Sequence, residues 1–61
     1  MFDVKVIRRY EAWKNDDTGY WCVVLVRHST FNGRTWYTVV AADKMTRKEA
    51  EGRANKMNDY Q

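Results

Sequence analysis

The side chains best suited to ligand chemistry sit in the middle of the chain: Trp21, Arg27, Arg34 and Trp36. A guanidinium binds a phosphate or a base edge through two parallel hydrogen bonds, and an indole offers a large flat apolar surface with one polar handle. Brought together on adjacent strands, with Leu25 between them, these groups would hold an anionic polymer or anchor a protein partner.

The groups used in hydrolytic, redox or metal chemistry are not gathered in this way. Cys22 and His28 lie six residues apart on one extended segment, roughly 20 Å at about 3.3 Å per residue, outside hydrogen-bond reach within one subunit. Cys22 reads as a small core hydrophobe, and His28 as a strand-end residue beside Tyr37. Asp16 and Asp17 fall in Asn15-Asp16-Asp17-Thr18-Gly19, where aspartate serves the backbone of a turn. With one Cys, one His and scattered glycines at Gly19, Gly33 and Gly52, the chain spells neither a metal ligand set nor a phosphate loop. The reading is a non-enzymatic binding module with no cofactor and no metal.

The elements that must position these groups are legible. Phe2, Val4 and Val6 alternate with Asp3 and Lys5, opening a first strand that runs on towards Trp13, with a bulge or break expected at the adjacent Val6 and Ile7. After the Asn15–Gly19 turn, Tyr20–Arg27 forms a second strand and Trp36–Ala42 a third. Asn32-Gly33 between them is a hairpin signal, read as a two-residue type I′ loop. That loop would set Phe31 opposite Arg34, Val26 opposite Val39 and Leu25 opposite Val40. One face would then carry Cys22, Val24, Val26, His28, Tyr37, Val39 and Ala41. The other would carry Trp21, Val23, Leu25, Arg27, Phe31, Arg34, Trp36 and Val40.

Thr46-Arg47-Lys48-Glu49 is a capping box that opens a C-terminal helix, with Met45 and Ala50 placed to form a hydrophobic staple. Ala50, Ala54 and Met57 make a narrow apolar stripe, and Glu49 precedes Arg53 by four residues, spacing for a helical ion pair. The fold class is therefore α+β: a three-stranded antiparallel sheet, β-β-β-α, with one C-terminal helix packed on one face, in a single small domain over residues 1–61. The helix is expected on the aliphatic face, where valines and Ala41 meet its alanines. The alternative puts Trp21 and Trp36 beneath it. Either way one helix covers one face, and the other is left for a partner.

Eleven Lys and Arg against eight Asp and Glu give +3, which favours polyanions in general. A chain of this length buries only about 60% of the surface its unfolded form exposes, so its core is small. The single cysteine points to a reducing, cytoplasmic setting. The longest apolar run, Tyr20–Val26, is too short to span a bilayer, so no membrane partner is expected.

From Gly19 to Asn58 the chain resembles the three-stranded-sheet-plus-helix DNA-binding domains, namely the arm-type domains of phage integrases and the AP2-type domains. The resemblance is carried by Gly19-Tyr20-Trp21, Arg27, Arg34-Thr35-Trp36 and Thr46-Arg47-Lys48-Glu49-Ala50-Glu51. It implies that Trp21, Arg27, Arg34 and Trp36 face DNA while the valines face the helix; with DNA as the ligand, Lys5, Arg8 and Lys44 are expected to add phosphate contacts. Val23, Leu25 and Val40 among those residues suit an apolar partner instead. The same face would then dock on a host protein, as an inhibitor or adaptor of the phage or mobile-element kind, or on a second copy of the chain.

Overall fold

The computed structural model describes residues 5–60. Three strands, β1 (Val6–Lys14), β2 (Trp21–Ser29) and β3 (Thr35–Met45), form an antiparallel sheet in the order β1-β2-β3, followed by helix α1 (Arg47–Asp59). The expected strand start at Phe2 and Val4 lies outside the described residues. Within them β1 pairs with β2 without interruption, from Val6 opposite Ser29 to Lys14 opposite Trp21, so no bulge separates Val6 from Ile7; the end of pairing expected near these residues falls at Val6, where the ladder begins. No helix among the described residues is long and apolar enough to cross a membrane.

Both hairpins use one loop design. The Asn15 N–H donates to the Tyr20 carbonyl and the Gly19 N–H to the Asn15 carbonyl, both at 2.8 Å. The Ser29 N–H donates to the Arg34 carbonyl at 2.9 Å and the Gly33 N–H to the Ser29 carbonyl at 3.0 Å. Each loop closes on a glycine at positive φ, +76° at Gly19 and +70° at Gly33. The second loop therefore spans four residues, not the two of a type I′ turn. Asn32 keeps a negative φ, and its side-chain oxygen instead accepts from the Arg34 N–H at 3.0 Å. Only glycine has to enter the left-handed region, the cheaper solution for an L-residue chain.

The longer loop moves the register by two residues: Val26 faces Tyr37 and Leu25 faces Thr38, not Val39 and Val40. A shift of two leaves each side chain on its expected face. The bulge between Val23 and Val24 does not: Val24 faces Val39, Val23 faces Ala41, and Val40 is the extra residue. Ala41 thereby joins the face of Trp21 and Val23.

This decides where the helix lies. Ala12 on β1, Val23 on β2 and Ala41 on β3 form one lateral row, a floor of small side chains under Ala50 and Ala54. Val23, Met45, Ala50 and Ala54 are buried, with Tyr10, Ala12, Trp21, Ala41 and Met57 packed around them. The helix thus covers the Trp21 face and not the Cys22 face expected from the hairpin alone. The reason is in the middle of β1: the helix side receives Tyr10 and Ala12 there, with Arg8 and Lys14 at the two ends, whereas the Cys22 face receives Arg9 and Glu11, whose charges a helix would desolvate.

The capping box is complete, with the Thr46 hydroxyl accepting from the Glu49 N–H and the Glu49 carboxylate accepting from the Thr46 N–H, both at 3.3 Å. Met45, the residue before the cap, is buried against Ala50 in the core. Arg53 pairs with Asp43 at 3.7 Å rather than with Glu49, which the cap engages, and Arg47 pairs with Glu51 at 2.8 Å. At its far end the helix is fastened to the sheet edge. The Asn58 side chain accepts from the Tyr10 N–H at 2.8 Å and donates to the Tyr10 carbonyl at 3.0 Å. One amide thereby satisfies both outward backbone groups of an edge-strand residue.

Candidate functional site

Strand pairing lays the helix-side face out in rows. Lys14, Trp21 and Met45 form the first, and Ala12, Val23 and Ala41 the second. Tyr10, Leu25 and Thr38 form the third, and Arg8, Arg27 and Trp36 the fourth. Because Asn58, in the helix's last turn, bonds to Tyr10 in the third row, the helix ends there. The fourth row lies past it on the same face. Two arginines and a tryptophan stand side by side, each about 4.8 Å from the next across the strands.

A cavity of about 310 Å³ opens over this row, lined by Val6, Arg8, Arg27 and Trp36. Arg27 is half-buried, and its terminal nitrogen donates to the Thr38 hydroxyl at 3.1 Å, which fixes the guanidinium. Its Nε is buried with no hydrogen-bond partner. Arg8 has no acidic partner among the described residues. Two cations directly opposite each other on a sheet repel, and a partly desolvated one attracts an anion more strongly than it would in water. Trp36 is 42% exposed beside them, so much of its indole is open.

Of the residues singled out from sequence, the structure brings Arg8, Arg27 and Trp36 together. Lys5 and Arg34 lie at the same end of the sheet. The Lys5 carbonyl accepts from both the N–H and the hydroxyl of Thr30, and Arg34 closes the β2–β3 loop; both side chains are exposed. Leu25 is half-buried one row nearer the helix. Trp21 and Lys44 belong to the opposite end. Trp21 packs against the core with the Arg47 guanidinium 5.4 Å from its ring centre, and Lys44 sits 6.0 Å from the Tyr20 ring.

The arrangement implied by the integrase and AP2 resemblance, with Trp21, Arg27, Arg34 and Trp36 opposite the helix, is therefore reversed for Trp21, Arg27 and Trp36, which share the helix's side. Sequence reasoning missed Val6 as a wall of the cavity and Thr38 as the anchor of Arg27. The signal for Val6 was the β1 register, since Val6, Arg8, Tyr10 and Ala12 share one face at period two.

The helix-free face has a different character. Trp13 and Tyr37 meet across it with ring centres 4.9 Å apart, and Val24, lying between their partners Cys22 and Val26, is buried there without any helix. Ile7, Tyr37 and Val39 are exposed around this pair. Polar groups on this face engage one another: Arg9 with Glu11 at 3.8 Å, the Trp13 indole N–H with Glu11 at 3.2 Å, and His28 Nδ1 with the Thr35 hydroxyl at 3.0 Å. No protein-family model, curated protein or solved structure matches the chain.

Proposed function

We propose that the chain is a small non-catalytic module that binds DNA through the fourth row of its sheet. Arg8 and Arg27 supply phosphate contacts, Trp36 packs against the nucleotide, and Lys5 and Arg34 add charge from the adjoining hairpin end. The observation that carries this reading is the direct cross-strand pairing of Arg8 with Arg27 in a cleft that both line together with Trp36. Like charges on directly paired residues raise the energy of the free sheet, and an anion bound by both arginines offsets that cost. The net charge of +3 supports approach to a polyanion. The lone Cys22 thiol fits a reducing compartment such as the cytoplasm.

The test is the salt dependence of binding to labelled DNA. Three or four phosphate contacts give a slope of log affinity against log salt of about −2 to −3. Arg27→Ala lowers affinity for every sequence and flattens the slope by about one; Arg34→Ala, at the rim, does so less. Binding that ignores salt, or no binding, removes the DNA reading.

A second reading rests on the other face. Exposed Ile7, Tyr37 and Val39, with the Arg9 and Glu11 charges mutually neutralised, suit an apolar protein partner or a second copy of the chain. In that case Tyr37→Asp abolishes association while leaving the far-ultraviolet circular dichroism unchanged.

A further inference from the structure

We infer that the Arg8–Arg27–Trp36 site takes one unpaired nucleotide, so that the module prefers single-stranded DNA to duplex. Arg8 and Arg27, which line one cleft, hold the phosphate, and the base stacks on the Trp36 indole. This rests on the DNA reading above and narrows it.

Three features carry the inference. The first is scale. An open cleft of about 310 Å³ lined by Val6, Arg8, Arg27 and Trp36 matches in volume the smallest sites that take discrete ligands. It has two cations and two apolar walls, the composition of a phosphate bonded to a flat base. The second is order across the strands. The two arginines are cross-strand neighbours and Trp36 is next to Arg27, whose guanidinium bonds to Thr38 on β3, so the two cations and the stacking surface span two strand spacings, about 10 Å. Successive groups of one nucleotide can occupy them together.

The third is access. Major-groove reading needs an element that stands proud of the protein and enters a groove about 12 Å wide. The fourth row is a patch of sheet surface beside the end of the helix. It is flanked by α1, a cylinder about 10 Å across, whose Asn58 is bonded to Tyr10 in the adjacent row. A rigid duplex laid on this row has α1 on one side of it, which limits how it can lie. A single strand bends into the step and can turn one base onto the indole. Stacking of this kind tolerates any base, because every base has a π face.

The experiment titrates the full chain with fluorescein-labelled oligothymidylate and with a duplex of equal length and label, following anisotropy and intrinsic tryptophan fluorescence. The expected result is tighter binding of the single strand by about tenfold or more, with quenching that disappears in Trp36→Phe. Trp36→Ala lowers single-strand affinity by between about fivefold and a hundredfold, whereas Trp36→Phe keeps most of it. Circular dichroism and urea unfolding check that the variants are folded, and the conservative variant separates stacking from packing. Equal or tighter duplex binding overturns this inference and leaves the DNA reading standing, as does single-strand binding that Trp36→Ala does not weaken. Failure to bind either form removes both.

Discussion

At the scale of residues, the molecule divides its polar groups into those with partners and those without. Asn58 uses both ends of its amide on Tyr10, and Glu49 closes the capping box. The Arg27 guanidinium is held by Thr38 yet leaves a buried Nε without a partner, and such a group costs free energy unless something compensates. The apolar residues are few, which makes each one count. Met45 is among the largest fully buried side chains and links β3, the cap and α1. Met45→Ala is expected to lose about 2–5 kcal/mol of stability, a large part of the total for a domain this small, so urea titration should show a collapsed or absent unfolding transition. A loss under 1 kcal/mol would mean that the core is not centred there.

At the scale of elements, the capping box, the Asn15–Gly19 turn and the second and third strands were all readable, because each depends on residues adjacent in the chain. The face covered by the helix was not. It depends on the bulge at Val40, which transfers Ala41 to the Trp21 side, and on the β1 register, which brings Ala12 beneath the helix and Glu11 to the other surface. Neither is a local signal. Asn32-Gly33 marked the hairpin correctly but not its length, since a four-residue loop needs positive φ only at Gly33. Helix α1 also carries a removable weakness. A Cβ added at Gly52 meets no atom within 4 Å, and the residue is exposed mid-helix. Gly52→Ala should raise stability by about 1 kcal/mol, seen as a higher urea midpoint with an unchanged slope; no gain would mean that the helix does not limit stability.

At the scale of the whole molecule, a helix of 13 residues rests on a sheet whose third strand alone has 11, and it covers only part of one face. The expectation that a single helix leaves sheet surface available holds. The uncovered surface is in two parts: the apolar helix-free face, and the end of the helix-side face that carries Arg8, Arg27 and Trp36. The sequence placed Arg27 and Trp36 in one group with Trp21 and Arg34 and named Arg8 apart from it, but joining Arg8, Arg27 and Trp36 required the pairing of β1 with β2, which no residue of β1 announces.

The account's central claim is that Arg8 and Arg27 are apposed for a ligand and not for the fold. It is tested most directly by measuring the urea stability and the DNA affinity of Arg8→Gln side by side at low salt. Relief of like-charge repulsion between directly opposed residues predicts a gain of about 0.2–1 kcal/mol in stability together with weaker DNA binding. A variant that loses stability while binding DNA as before would show that Arg8 serves the sheet itself, and the proposed site would have no basis.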